Sequence, residues 1–157
     1  MELKIENWGN VDGQDTPVKL FSLINSQGLI LKVTNFGCIV TSIEVPGRNG
    51  VREDVVLGYD SLEKYLAGHP FFGAIAGRYA NRIEGGRYQL DGEVFQLDTN
   101  EVLTQQHLHG GLKGFDKYVW DFEVDEQPEA TYIHFSRVST DGESGYGGTL
   151  HVKHTIG

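Results

Sequence analysis

The feature that most constrains the fold of this sequence is an Asp-Gly pair between two short alternating runs. Arg87–Leu90 and residues 93–97 flank Asp91-Gly92. Asp and Gly tolerate the positive φ angles of a two-residue type I′ turn, so the pattern predicts a β-hairpin. The same register places Tyr88 opposite Phe95, and an aromatic cross-strand pair helps to fix the alignment.

The rest of the chain has the composition of many short strands joined by turns, with 21 glycines and only 4 prolines. One helical turn is expected at residues 60–66, with Asp60 placed to cap its N-terminus. The sequence therefore predicts an all-β fold of antiparallel strands that forms a single domain over residues 1–157. Further strands are expected at residues 18–24, 29–36, 38–45, 54–57, 73–78, 118–124, 131–138 and 149–156.

Charge and cysteine content narrow the classes of partner. Acidic residues number 22 against 13 basic ones, for a net charge of −9. Phosphate binding needs clustered positive charge, so nucleic acid and anionic membranes are disfavoured as partners. The single cysteine, Cys38, allows no internal disulfide, and the N-terminus lacks the apolar run of a signal peptide. A cytoplasmic location is the expectation.

Asn81-Arg82 follows the expected strand at 73–78 and precedes the double glycine Gly85-Gly86. Two interpretations are open. The pair could close a surface strand, with Arg78 and Arg82 simply solvated, because most arginines are exposed. Alternatively, the amide and the five-donor guanidinium suit a neutral ligand rich in hydroxyl groups.

His107-Leu-His109 precedes a second double glycine, Gly110-Gly111. A spacing of two places both rings on one side of a strand, which is half of a metal site, but no acid follows until Asp116, so no metal site is predicted. A histidine satisfied by backbone groups is a second interpretation. A ligand-binding or acid–base role is the third, because the glycines allow close backbone approach beside His109.

Six segments taken together resemble one family, the aldose 1-epimerases or galactose mutarotases. The resemblance runs from about Leu20 to Gly157 and keeps the order in which the family has its motifs. The matching segments are Thr34-Asn-Phe-Gly37 with Val40–Ile43, Asp54–Gly58, Gly77-Arg-Tyr-Ala-Asn-Arg-Ile83, Leu108-His-Gly-Gly111, Gly114-Phe-Asp-Lys117 with Trp120, and Asp141-Gly-Glu-Ser-Gly-Tyr146.

The resemblance implies a large antiparallel β-sandwich that holds a sugar on its concave face. Members of the family interconvert the α and β anomers of free hexoses such as galactose and glucose, without a cofactor. The reaction needs a base for the C1 hydroxyl proton and an acid for the ring oxygen. Carried over by position, Asn81, Arg82 and His109 would bind the substrate, and His109 would take part in catalysis.

The resemblance also implies that this chain is the N-terminal portion of such a β-sandwich, incomplete at the C-terminus and inactive alone. The family's acid histidine and base glutamate belong to a C-terminal half, so the expected partners are a free aldohexose and either that half or a second copy of the chain. An alternative function is a non-catalytic carbohydrate-binding or interaction module built on part of the fold.

Overall fold

The computed structural model describes all residues 1–157, and nearly every regular element in it is a β-strand. A five-stranded antiparallel sheet has the order β1-β2-β3-β4-β5, and a three-stranded sheet has the order β10-β11-β12. Two pairs, β6-β9 and β7-β8, complete the sheets. The strands are β1 Glu2–Gly9, β2 Val18–Ile24, β3 Ile30–Thr34, β4 Val40–Pro46, β5 Arg52–Asp54, β6 Arg82–Ile83, β7 Arg87–Leu90, β8 Glu93–Gln96, β9 His107–Leu108, β10 Asp121–Glu126, β11 Thr131–Ser139 and β12 Leu150–Ile156.

The core lies between the two larger sheets, which makes the architecture a sandwich and confirms the predicted fold class. Phe21 of β2 contacts Phe122 of β10 and Phe135 of β11, with ring centroids 4.8 and 5.6 Å apart. Cys38 is buried in the same cluster, and burial raises the pKa of its thiol. The thiol therefore serves as a small apolar side chain.

The segment Thr34-Asn-Phe-Gly37 joins the two sheets through the buried amide of Asn35. Asn35 Oδ1 accepts from the Lys19 backbone N–H at 2.7 Å, and its Nδ2 donates to Pro17 O and Trp120 O. The Trp120 backbone N–H in turn donates to Asn35 O at 2.8 Å. This motif therefore has a structural role, since a buried amide is stable only when its polar atoms are paired.

The hairpin predicted from Asp91-Gly92 is confirmed. Both turn residues have positive φ, 52° and 85°, as a type I′ turn requires. Tyr88 pairs with Phe95 in the β7-β8 register, and their rings stack at 5.0 Å. The structure also confirms β2 and β7 at their predicted bounds, and the ends of the other predicted strands that it contains differ by a few residues.

The prediction of a strand at residues 73–78 was wrong, because this segment has no strand in the structure. The run is apolar because it is packed, but its backbone hydrogen bonds go to three separate segments of the chain instead of along one neighbouring strand. Val40 N–H donates to Gly73 O, Ile75 N–H to Gly37 O, and Phe115 N–H to Gly77 O. A Cβ at Gly73 would lie 2.2 Å from Val40 O, so the approach of the two backbones depends on glycine.

Two smaller differences have local causes. Helix α1 is Leu62–Leu66, and Asp60 does not cap it, because its carboxylate accepts from Lys64 Nζ at 2.6 Å and Ser61 occupies the cap position. Strand β1 was not predicted, since it is a mostly exposed edge strand with little apolar signal. The α-helix has only five residues, and none of the helical segments has the length of a membrane span.

Candidate functional site

Asn81 and His109 are joined by a reciprocal pair of hydrogen bonds. The Asn81 backbone N–H donates to His109 Nδ1 at 3.0 Å, and the His109 backbone N–H donates to Asn81 O at 2.9 Å. Both residues have positive φ, 63° and 49°, a conformation that costs energy for residues other than glycine. Because Nδ1 accepts, the proton of the neutral ring is on Nε2, which makes no hydrogen bond within the chain and is free to donate.

Arg82 is adjacent, in the two-residue strand β6, which pairs with β9 just before His109. Its Nε and Nη2 donate to the carboxylate of Glu101, with Nε 2.8 and 3.0 Å from the two oxygens. Its Nη1 donates to Asn81 Oδ1 at 3.0 Å. One hydrogen remains on each of Nη1 and Nη2, so the anchored guanidinium keeps donors for a ligand.

Glu101 is a member of this site that sequence reasoning missed. The ion pair with Arg82, followed by a hydrogen bond from Thr104, lowers the pKa of Glu101 to about 2. Glu101 lies in the irregular segment between β8 and β9, and an acid in a loop gives no sequence signal of its own. Only the tertiary fold brings it to Arg82, 19 residues earlier in the chain.

Arg82 lines an open cavity of about 410 Å³ together with three tyrosines, Tyr79, Tyr88 and Tyr146. Arg78 lies in the same wall but has a different role, since its guanidinium donates to the backbone oxygens of Ser139, Thr140 and Gly147. The interpretation of Arg78 as a solvated surface residue was therefore wrong. His109 does not line this cavity; its ring lies against Phe71, at 4.4 Å between centroids.

The prediction that His107 and His109 present both rings on one side of a strand was wrong. The strand ends at Leu108, and the positive φ of His109 turns the chain. His107 is fully buried, with Nδ1 2.8 Å from Asp98 O and Nε2 2.7 Å from Tyr146 Oη. No group of three or more His, Cys, Asp or Glu side chains is arranged to hold a metal ion.

Gly110 allows the close approach that was expected beside His109. Its φ is 91°, and a Cβ there would lie 1.7 Å from the carbonyl oxygen of Gly77. Phe115 N–H donates to that same oxygen at 3.1 Å. The turn after His109 is thus packed directly against the backbone that leads to Asn81, and no larger residue fits between them.

Asn81 therefore contacts both His109 and Arg82, while the role of the three residues as sugar ligands stays a prediction. What the arrangement offers chemically is a cluster of neutral and cationic N–H donors beside an aromatic cavity. Such a set suits a ligand with several hydroxyl groups, because each donor can be matched by an oxygen.

Comparison with known proteins gives the same family by an independent route. The family model described as aldose 1-epimerase matches residues 19–156. The chain is 46% identical over 135 residues to galactose mutarotase of Bos taurus. The aligned region covers 86% of this chain and 37% of that protein. It is 37% identical to aldose 1-epimerase of Escherichia coli, which covers 88% of this chain and 38% of that protein.

Solved structures agree with the sequence matches. The crystal structure of galactose 1-epimerase from Lactobacillus acidophilus superposes with a TM-score of 0.84 and 27% identity, over 98% of this chain and 43% of that one. An aldose epimerase homologue from C. elegans gives a TM-score of 0.75 at 27% identity, over 87% and 40% of the two chains. The chain spans about two fifths of the length of the curated relatives it matches. It belongs to the aldose 1-epimerase family.

Proposed function

We propose that this chain supplies the sugar-binding residues Asn81, Arg82 and His109 of an aldose 1-epimerase that acts on free hexoses such as galactose and glucose. The observation that carries the proposal is that Asn81 is hydrogen-bonded to both His109 and Arg82, while His109 Nε2 and one hydrogen each on Arg82 Nη1 and Nη2 have no acceptor within the chain. Family membership supplies the reaction, the interconversion of the α and β anomers through the open-chain aldehyde.

The reaction moves two protons, one from the C1 hydroxyl and one to the ring oxygen. His109 can donate from Nε2 and can therefore serve one of these transfers. Glu101 is the carboxylate beside Arg82, but a pKa of about 2 makes it a weak base near neutral pH. We therefore expect the 157-residue chain to bind sugar and to catalyse its mutarotation poorly or not at all.

Binding is tested by titrating galactose into the ¹⁵N-labelled chain and following backbone amide shifts. We expect the shifts to centre on residues 81, 82 and 109. Arg82→Ala should weaken binding at least tenfold, since a hydrogen bond from a charged group contributes about 1.5–3 kcal/mol. Arg87→Ala is the matched control, because Arg87 is an exposed arginine on β7. Equal affinity of both variants would contradict the proposed site.

Catalysis is tested by polarimetry on freshly dissolved α-galactose. We expect the purified chain to equilibrate the anomers no faster than buffer. Equilibration clearly faster than buffer, and lost in His109→Ala, would show that these residues suffice for the reaction. Binding without turnover is also the expected result for the second candidate function, a carbohydrate-binding module, because Glu101, with a pKa of about 2, is a weak base.

The free edge of β12 supports a proposal about partners. Strand β12 pairs only with β11, so its other edge presents backbone donors and acceptors to any strand from outside residues 1–157. We expect the chain to associate at micromolar concentration, and light scattering after gel filtration measures it. A monomer at every concentration would contradict this. A cytoplasmic location is proposed as well, and the single buried thiol of Cys38 is in keeping with it.

A further inference from the structure

Phe71 is in direct contact with His109 and has a backbone conformation that needs support. Its ring is 4.4 Å from the His109 imidazole, centroid to centroid, at an interplanar angle of 46°. Its φ is 62°, which an aromatic residue adopts only when surrounding contacts hold it there. His109, which has positive φ itself, thus contacts two further non-glycine residues with positive φ, Phe71 and Asn81.

Buried His69 holds Phe71. The Phe71 backbone N–H donates to His69 Nδ1 at 3.1 Å, and the two rings are 5.7 Å apart. Because Nδ1 accepts this bond, the ring proton of His69 is on Nε2, which is 3.5 Å from Asp116 Oδ2. Burial, above all, lowers the pKa of His69 and keeps the ring neutral, as this hydrogen bond requires.

Asp116 and Lys117 complete the support from the other side. The side chain of Asp116 is 1% exposed, and its carboxylate accepts from Lys117 Nζ at 2.8 Å. The same ammonium lies 5.1 Å from the centre of the Phe71 ring, within range of a cation–π contact. Phe71 is therefore fixed through its backbone by His69 and through its ring by both His69 and Lys117.

His109 needs this contact because its ring has only one hydrogen bond. The bond from Asn81 to Nδ1 fixes the position of one ring atom, and the ring of Phe71 blocks the rotamers that would break it. With the ring fixed, Nε2 keeps its proton and a constant direction. Nothing in the sequence indicates this role, since Phe71 lies in a loop between helix α1 and the irregular segment at 73–78.

We propose that Phe71, locked by buried His69, is a positioning residue that fixes the ring and the tautomer of His109 for sugar binding. The consequence for the sugar rests on the proposed function of His109; the consequence for the ring does not. Phe71 acts through His109 and needs no contact of its own with the ligand.

The test compares Phe71→Leu, which keeps an apolar side chain but removes the aromatic face, with Phe72→Leu at the exposed neighbouring position. Long-range ¹H–¹⁵N spectra of the histidine rings report the tautomer of His109. We expect a single Nε2–H form in the wild type and in Phe72→Leu, and a mixture of tautomers in Phe71→Leu. Unchanged His109 signals in Phe71→Leu would overturn the proposal.

Galactose titration of the same proteins separates the two hypotheses. We expect Phe71→Leu to bind about fivefold more weakly, comparable to the loss of one aromatic pair, and Phe72→Leu to bind as the wild type does. The wild type could bind no galactose while Phe71→Leu still shows a mixture of His109 tautomers. In that case the proposed function fails and the positioning of the ring by Phe71 stands. Equal binding despite a mixed tautomer would overturn the proposed effect on the ligand.

A second pair of variants tests the link to His69. His69→Asn keeps an oxygen that can accept the Phe71 N–H at the position of Nδ1, whereas His69→Leu has no acceptor. We expect His69→Leu to give the mixed His109 tautomer and His69→Asn to restore the single form, provided that far-UV circular dichroism shows both variants folded. Identical His109 spectra in the two folded variants would remove His69 from the mechanism.

Discussion

His107 and His109 are two residues apart and have opposite environments. His107 is fully buried, and both of its nitrogens are hydrogen-bonded, to Asp98 O and to Tyr146 Oη. His109 is partly exposed and uses Nδ1 alone. The two rings also hold their protons on opposite nitrogens. Nδ1 of His107 must donate to a carbonyl, whereas Nδ1 of His109 must accept from an amide.

The difference shows that one short motif combines a histidine fully engaged in the structure with a histidine that keeps a free hydrogen-bond donor. Burial raises the pKa of Tyr146 to about 12, so its hydroxyl keeps the proton that it donates to His107. The hydrogen bond between Tyr146 and His107 connects β9 to the loop after β11. Together with the bond to Asp98 O, it leaves neither ring nitrogen of His107 available to a ligand. One turn of backbone later, His109 keeps a free donor. Variants that affect the two histidines unequally test this division.

The largest expected effect comes from Gly110, because it fixes the backbone geometry of the segment that contains both His107 and His109. Gly110→Ala places a Cβ 1.7 Å from Gly77 O, so we expect a loss of about 4 kcal/mol in the free energy of unfolding, or no folded protein. Gly92→Ala is the control: its φ is 85° but nothing lies within 4 Å of the new Cβ, and we expect about 1 kcal/mol. Urea unfolding measures both, and equal losses would contradict the packing argument.

His107→Ala should have the next largest effect. It empties a buried site and leaves the Tyr146 hydroxyl and Asp98 O without their partner, so we expect a loss of about 3 kcal/mol. The same urea experiment measures it. A loss no larger than that of His109→Ala would show that the burial of His107 does not matter for stability.

His109→Ala should cost little stability and most of the sugar affinity. It removes one hydrogen bond from a partly exposed ring, so we expect about 1 kcal/mol or less in the free energy of unfolding. Galactose titration should show the larger loss, at least tenfold. A large fall in melting temperature with unchanged sugar binding would assign His109 to structure together with His107.

The smallest effect concerns the ion pair of Arg82 and Glu101. Arg82→Gln should raise the pKa of Glu101 from about 2 toward its ordinary value of 4.5, and carboxyl NMR titration measures the change. Because the pKa of Glu101 is lowered in the folded state, the ion pair stabilises the fold at pH values above about 4.5. This stabilisation is lost as the pH falls through about 2. The melting temperatures of wild type and variant should therefore converge over that interval. A constant difference down to pH 2 would contradict the assignment.

Local sequence determined a large part of this protein by itself. The Asp91-Gly92 hairpin, strand β2 and the all-β class were predictable, because turn chemistry and period-2 alternation act between neighbouring residues. The likeness of Asn81, Arg82 and His109 to one family was visible in the motifs as well. Their grouping around Asn81 depends on the pairing of β6 with β9, which the sequence did not predict.

Only the tertiary structure decided which of two similar residues keeps hydrogen-bond donors that no group of the chain accepts. Arg78 and Arg82 look alike in sequence, yet the guanidinium of Arg78 donates to three backbone carbonyls, whereas that of Arg82 keeps donors for a ligand. Glu101, Phe71 and the division between His107 and His109 were hidden for the same reason. Hydrogen-bond partners and burial depend on residues distant in the chain, and no local pattern records which side chains the fold brings together.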